Sequence, residues 1–445
     1  MLKKITIIGY GRFGKVLHRL IQDDFFVTLF KQSGSIATKG LPKNTRVVTD
    51  VKEAYESEVI FYAVPIPTFE SVIALHKKYF RPDHVLIDVL SVKMHPADVL
   101  KKQLKGMKVQ AILTHPMFGP DSSKDGFAGL PLIMDSFLAD EKTYSYWKKY
   151  FTRKKLRVIE MSAKEHDRLA ANSQGLTHFV GRLLEKMKVM KGPIDSLGTK
   201  LLLDVKEQTC NDTWELFAGL QHYNPYTKKM RLALGSAYDT LYSELLPKQV
   251  KKGVVTYGIQ GGKGSFNEEA MRAYIEKKKI KKYEIQYLFT AERVLRSLYE
   301  GDIDVGLFAT HNAQGGIVRE SVQAMSRYTF KILDEQEVLI RHFLMKRKDV
   351  KTEELKTVMG HSQNFLQCRE HLAKKYSHLK QETGKGDLVD TAKVASFVAE
   401  GKLPKTTAIL GPKVLASLYG FDIIAEDLQD LGEHNVTNFL LVGRG

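Results

Sequence analysis

Cysteine is nearly absent from this 445-residue chain, which has only Cys210 and Cys368, far apart. A disulfide framework and a cysteine-based zinc site are thereby excluded, and no metal site is expected. No apolar run approaches the roughly 18 residues that a membrane span requires, so no membrane partner is expected. The opening Met-Leu-Lys-Lys-Ile-Thr-Ile-Ile-Gly carries too short an apolar stretch for a signal peptide, which makes the cytoplasm the expected location. Internal repeats and low-complexity tails are also missing. What remains, 43% hydrophobic and 27% charged residues, is the composition of an ordinary globular protein. At roughly 150 residues per domain, the length predicts two to four domains.

The formal charge is +17. Such an excess suits nucleic acid, small anionic ligands, or merely a basic solvated surface. The lysines are scattered, with short clusters at 148–157 and 277–282, and no nucleic-acid motif accompanies them. Nucleic acid is therefore not an expected partner, and small anions are.

Apolar runs at 5–8, 27–30, 59–64, 85–89 and 109–114 alternate with helical patterns such as 13–22 and 69–79, which predicts a doubly wound parallel sheet. Long helices are predicted over 163–188, 198–220 and 225–245. After a polar linker at 247–253 the alternation resumes, with strands expected at 254–259, 305–309, 338–345, 407–410 and 439–442. Tracts 344–350 and 374–387 read as solvated connections. The fold class is thus α/β in three units: a Rossmann-type domain at 1–155, an all-helical block at 156–247 and a second α/β domain at 253–445.

Gly9-Tyr10-Gly11-Arg12-Phe13-Gly14 follows the first strand and opens the first helix. Glycines there permit a tight turn, and the helix N-terminus presents N–H groups to a pyrophosphate. The second strand ends in Phe30-Lys31-Gln32-Ser33, with no acid for the ribose hydroxyls of NAD. Lys31 and Ser33 suit a 2′-phosphate instead, so NADP is the expected cofactor and NAD the alternative.

Ser91, in Asp88-Val89-Leu90-Ser91-Val92-Lys93, and His115, in Thr114-His115-Pro116-Met117-Phe118-Gly119-Pro120, lie at carboxyl ends of strands, where such sheets bind ligands. A histidine there can take the proton of a substrate hydroxyl as hydride leaves, with Ser91 orienting the imidazole or the hydroxyl. These two stretches resemble the prephenate and arogenate dehydrogenase family, the arogenate enzymes of plants above all. His166-Asp167-Arg168, Asn172-Ser173-Gln174-Gly175-Leu176-Thr177-His178 and Cys210-Asn211-Asp212-Thr213-Trp214-Glu215-Leu216-Phe217 extend the resemblance over about 5–245. It implies oxidative decarboxylation of a cyclohexadienol dicarboxylate in tyrosine biosynthesis. His115 and Ser91 would be catalytic, and His178 would close the pocket. Ser173 or Gln174 would bind substrate, although their spacing to His178 is one residue longer than in many bacterial members. Many prephenate-using members carry arginine where this chain has Glu215, which removes a carboxylate partner and favours arogenate. The helical block is the expected homodimer contact. The rival reading, a 3-hydroxyacid-type dehydrogenase, lacks the His-Pro-Met-Phe-Gly-Pro loop.

Residues 254–443 resemble prephenate dehydratase, which implies a two-lobed, periplasmic-binding-protein-like fold and a role in phenylalanine biosynthesis. The matching pieces are Tyr257-Gly258-Ile259-Gln260-Gly261-Gly262-Lys263-Gly264-Ser265, His311-Asn312-Ala313-Gln314-Gly315-Gly316, His361-Ser362-Gln363-Asn364, Asp390-Thr391-Ala392 and Leu428-Gln429-Asp430. By resemblance, Thr437 donates a proton to the leaving hydroxyl, and Ser265, Asn312 and Thr391 bind substrate. Three departures stand out: His311 and Ala313 replace a glutamate and a serine, and Asn438 replaces an arginine expected, with that serine, to hold the dicarboxylate. The alternative is a non-catalytic module for ligand binding or oligomerisation. The family's regulatory ACT domain is expected to be missing.

Overall fold

The computed structural model describes residues 3–32 and 34–445, which form two compact units, Met1–Ala237 and Tyr238–Gly445. Ser33, named above for a 2′-phosphate, lies outside the described residues.

In the first unit, β1 (Lys4–Ile8), β2 (Phe26–Phe30), β3 (Thr45–Val48), β4 (Val59–Tyr62), β5 (Val85–Asp88), β6 (Gln110–Pro116), β7 (Pro131–Asp135) and β8 (Arg157–Glu160) make one sheet. Its order is β3-β2-β1-β4-β5-β6-β7-β8, parallel except where β6 meets β7. The central strands β2, β1, β4, β5 and β6 are buried on both faces, which is why they read as unbroken apolar runs rather than alternating ones. Ile5, Ile7, Val27, Leu29 and Phe61 pack on one side with Trp147. Ile8, Ile60, Tyr62 and Leu86 pack on the other with Phe69 and Ile73. This is the doubly wound architecture that the alternation predicts. The pattern left β3, β7 and β8 unread; β3 and β8 carry charged residues and are only partly buried, whereas β7 is a short buried run, Leu132 to Met134.

The helical block departs from its expected outline in two places. The 163–188 helix is Ala163–Ala170, a π turn over Ala171–Gly175, then Leu176–Lys186. The 198–220 helix is broken into Leu197–Cys210 and Trp214–Tyr223. The break falls at Asn211-Asp212-Thr213, where the Thr213 hydroxyl accepts the Leu216 N–H at 3.2 Å and caps a new helix. No helix among the described residues is long and apolar enough to cross a membrane.

The second unit holds two sheets. The strands of the first are β9 (Val255–Ile259), β10 (Tyr283–Tyr287), β11 (Val305–Asn312), β12 (Gly316–Ile317), β13 (Phe330–Leu339) and, at the end of the chain, Val436–Arg444. The second is built from β14 (Phe343–Arg347), β15 (Thr357–Met359), β16 (Lys380–Glu382), β17 (Thr407–Gly411) and β18 (Phe421–Ala425). With Val436–Arg444 as β19, the orders are β10-β9-β11-β19-β13, with β12 beside β11, and β16-β15-β17-β14-β18. The chain therefore crosses from one sheet to the other after Leu339 and returns before Val436, the two-lobed arrangement expected. The expected 338–345 strand is not one strand. It is the end of β13 and the start of β14, in different sheets, separated by Ile340-Arg341-His342. The exposed Arg341, bonded through Nε to Asp427 at 2.6 Å, marks the crossing. The 344–350 tract is likewise no solvated connection at its start, because Leu344 and Met345 are fully buried in β14.

Candidate active sites

The glycine loop meets the steric demands of a dinucleotide turn. Gly9 has φ +97°, and a Cβ on it would lie 2.4 Å from the Ala63 carbonyl oxygen. One on Gly14 would lie 2.1 Å from the Gly9 carbonyl oxygen, so both positions exclude a side chain. Beside Gly11 the space is open. Gly11 caps the helix Arg12–Ile21 with no side-chain hydrogen bond and no acid in its first turn, which leaves a dipole end suited to phosphate. Phe13 packs on Phe118, ring centres 6.2 Å apart. Arg12 bonds the Asn211 carbonyl at 2.7 Å and the Asp212 carboxylate at 3.0 Å, tying the loop to the helical block. Lys31 is exposed beyond β2. The residues present fit a dinucleotide.

His115 stands at the end of β6, 2% exposed. Its Nδ1 lies 2.8 Å from His166 Nε2, and His166 Nδ1 lies 2.8 Å from Asp167 Oδ1. Asp167 also accepts the backbone N–H of Lys93 at 2.7 Å and of Met94 at 2.9 Å. Lys93 in turn is buried against Asp88 and donates to the Thr114 carbonyl at 2.6 Å. Burial pushes the Asp88 carboxyl up and the Lys93 ammonium down, opposed by their contact. His115 is held well below the ordinary imidazole range, by burial first and then by His166, Lys93 and His178. It is neutral at physiological pH, as a proton acceptor must be.

His178 is half-buried, close enough to depress His115, and its own pKa is lowered by burial. Its Nδ1 has no hydrogen-bond partner among the described residues. Gln174 is half-buried with an unpartnered Oε1, whereas Ser173 is exposed and donates to the Leu169 carbonyl at 3.0 Å. Ser173 and Gln174 lie within the π turn and His178 just after it; a π turn is how a helix absorbs one additional residue, and such turns recur at functional sites. The longer spacing to His178 thus has a structural counterpart. Ser91 is half-buried, and no hydrogen bond joins it to His115 among the described residues. The partner that orients the imidazole is His166, a role the sequence did not suggest, though His166-Asp167 stood among the matching motifs. Glu215 is exposed on the first turn of Trp214–Tyr223, where a carboxylate complements the helix dipole, so its charge needs no substrate to explain it.

In the second unit, β11 and β19 pair Asn312 with Thr437. Asn312 Nδ2 donates to Thr437 Oγ1 at 2.9 Å, while its Oδ1 accepts the N–H groups of Gln314 and Gly315 at 2.9 and 2.7 Å. Those two backbone donors fix the amide's orientation, so the Thr437 hydroxyl keeps its own proton to give. A Cβ on Gly315 would strike Gln363 Oε1, which lies buried without a partner, so the second lobe approaches here. Thr391 accepts from the His361 N–H and Asn364 Nδ2, both at 3.0 Å. Its neighbour Asp390 accepts the Gly262 N–H at 2.9 Å, in the loop that ends at Ser265. Ser265 caps the helix Phe266–Lys277. Asn312 and Thr437 therefore form one cluster and Ser265 and Thr391 another.

The Asn438 replacement reads differently in three dimensions. Adjacent strand residues face opposite ways, so Asn438 points away from Thr437, and it bonds Glu335 at 2.9 Å and Glu337 at 3.3 Å. Ala313, in contrast, is exposed on the loop beside Asn312.

Three family descriptions match: "Prephenate dehydrogenase, nucleotide-binding domain" at 27–160, "TYRAAT1-like, C-terminal domain" at 183–254 and "Prephenate dehydratase" at 257–445. The first begins beyond the glycine loop, so the dinucleotide site rests on the loop's own geometry. Among curated relatives, arogenate dehydrogenase 1, chloroplastic, of Arabidopsis thaliana is 32% identical over 250 residues, 54% of this chain and 39% of that one. Arogenate dehydrogenase 2, chloroplastic, of the same plant is 31% identical over 273 residues, 58% of this chain and 75% of that one. Arogenate dehydratase 2 of Petunia hybrida is 30% identical over 187 residues, 42% of this chain and 44% of that one. The chain therefore spans less than half of the first and third relatives.

Buried neutral histidines make stability depend on pH. Burial lowers His342 to about 4, and His76 and His84 likewise to about 4. The unfolded chain takes up these protons near pH 6.5 and the folded chain only near 4, so stability falls as pH drops through that window. For a fully buried histidine such as His342 the loss is on the order of 3 kcal/mol once complete. Urea unfolding between pH 7 and pH 4 should show a falling midpoint, and His342→Gln should flatten it. A midpoint independent of pH would refute this assignment.

Proposed function

This chain belongs to the arogenate and prephenate dehydrogenase family and carries a prephenate dehydratase domain, and from that premise we propose that it oxidatively decarboxylates arogenate, or prephenate less well, with NADP. The observation that carries the reading is His115: neutral, buried, at the carboxyl end of a strand beside the dinucleotide loop, with one ring nitrogen already engaged. A nicotinamide dinucleotide bound at that loop supplies the hydride acceptor. Gly9, Gly11 and Gly14 shape the turn, Phe13 supports it from behind, and Lys31 meets a 2′-phosphate. His115 takes the proton of the ring hydroxyl at Nε2, and His178 with Gln174 closes the substrate pocket. With Glu215 at the surface, the preference for arogenate rests on the likeness to plant arogenate dehydrogenases. The net positive charge draws an anionic substrate and cofactor.

Steady-state kinetics with each substrate and each cofactor test this reading. Turnover should be fastest with arogenate and NADP, and His115→Asn should lower kcat at least 100-fold. Lys31→Asp should raise the KM for NADP about tenfold and leave that for NAD nearly unchanged, as expected from loss of one charge-assisted contact. A parent enzyme that prefers NAD would overturn the role of Lys31.

The second unit is proposed to dehydrate prephenate or arogenate, with Thr437 as proton donor to the departing hydroxyl, because Asn312 leaves that proton free. Ala313 favours the other reading, a ligand-binding module without catalysis. Conversion of prephenate to phenylpyruvate that Thr437→Ala abolishes would remove the module reading. No conversion of either substrate by the parent would remove the dehydratase reading.

A second copy of this chain is the proposed partner for the helical block. Its helices and the turn after Lys186 expose Leu183, Met187, Met190, Leu197, Leu201 and Leu232, each at 45% or more, a density that isolated surfaces rarely carry. Sedimentation should give a dimer, and Leu201→Glu should shift it toward monomer. A monomeric parent at micromolar concentration would sink the idea.

A further inference from the structure

The hydrogen-bond chain behind His115 has a direction that the proposed reaction does not itself require. Asp167 is an acceptor from the Lys93 and Met94 N–H groups, so it faces His166 as an acceptor too, and His166 Nδ1 must donate to it. In neutral His166 that leaves Nε2 as an acceptor, and His115 Nδ1 must donate to it. His115 is thereby locked as the Nδ1–H tautomer, with a bare lone pair on Nε2.

The charged groups facing His115 come from three elements. His166 and Asp167 lie on Ala163–Ala170, Lys93 with its partner Asp88 follows β5, and His178 lies on Leu176–Lys186. Lys93, His166 and His178 all disfavour a cation on His115. Of the two histidines, His166 alone has a carboxylate within hydrogen-bond distance among the described residues, Asp167 at 2.8 Å, whose other side-chain bonds come from backbone N–H groups, whereas the carboxylate of Asp88 is already taken by Lys93.

Resting on the dehydrogenase reading, we propose that His166, held by Asp167, is a positioning residue that fixes the His115 tautomer and takes up the positive charge when His115 accepts the substrate proton. The balance closes as follows. The substrate O–H bond breaks as an N–H bond forms at His115 Nε2, and the oxygen becomes a carbonyl as the ring carbon that bears it gives up hydride, for which a nicotinamide held at the glycine loop would supply the acceptor. The Nδ1 proton of His115 crosses to His166 Nε2, which places an imidazolium against Asp167. Loss of carbon dioxide returns an electron pair to the oxygen as a phenolate. That phenolate reclaims the proton from His115 Nε2, and the Nδ1 proton crosses back. Neither histidine changes over the cycle, which suits residues cut off from solvent.

Two measurements test this. His166→Phe should lower kcat at least tenfold, change KM less than twofold and move the acid limb of the pH–kcat profile. His166→Gln, whose amide oxygen accepts from His115 Nδ1, should recover part of kcat but not the original acid limb. A residue that merely packs would leave that limb in place. Independently of turnover, 15N chemical shifts of the histidine rings, assigned through His115→Asn, should show His115 protonated at Nδ1 and bare at Nε2. Both variants within twofold of the parent in kcat, with unmoved profiles, would overturn the proposal, and so would a resting His115 protonated at Nε2. If the parent oxidises neither substrate, the dehydrogenase reading fails while the ring shifts still decide the tautomer.

Discussion

The hydrogen bonds behind His115 depend on how a single buried carboxylate is occupied. Asp167 sits at the start of the helix Met94–Gln103, where two backbone N–H groups have no partner within the helix, and it takes both. With those donors in place, the carboxylate's remaining capacity turns to His166, and the orientation of every hydrogen bond as far as His115 follows. The same contact pins the helical block to the carboxyl edge of the sheet, and within the block Asn224 donates to the Asp167 carbonyl at 2.7 Å. Fold and site share one fastening.

The second unit uses a comparable economy. Asn435 donates to Gln367 at 2.8 Å and to the Ile340 carbonyl at 2.9 Å, and Asn312 donates to Asn435 at 3.0 Å on its way to Thr437. These side chains lie where the chain crosses between its two sheets, so the polar network that holds Thr437 also holds the crossing. Buried amides of this kind are costly unless satisfied, and here each finds partners on more than one segment. The backbone donors on Asn312 carry the chemical consequence, since they decide which atom of its amide faces the threonine.

Parts of this were legible in the residues alone. The glycine loop, the five central strands of the first sheet and the His-Pro-Met-Phe-Gly-Pro loop were readable because each is a local pattern: a turn that admits no Cβ, a buried run, a stiffened strand end. The break at Asn211-Asp212-Thr213 carried a capping signal that periodicity hid. The π turn had a trace in the longer spacing to His178, yet a spacing does not say whether an added residue loops out or stays in the helix. The 338–345 run misled because an apolar stretch looks the same whether it continues a strand or changes sheets.

Sequence alone determined the class of fold, the place of the dinucleotide loop and the identity of His115 and Thr437 as candidate acid–base groups, because these depend on neighbours within a few positions. Only the tertiary structure decided that His166 rather than Ser91 contacts the His115 ring, that Glu215 is exposed, that Asn438 bonds Glu335 and Glu337, and which backbone donors meet the Asp167 carboxylate and the Asn312 amide. Those outcomes are set by hydrogen bonds between residues 51 to 125 positions apart, as from His115 to His166 and from Asn312 to Thr437. Donor and acceptor there are matched by packing, to which no local periodicity corresponds.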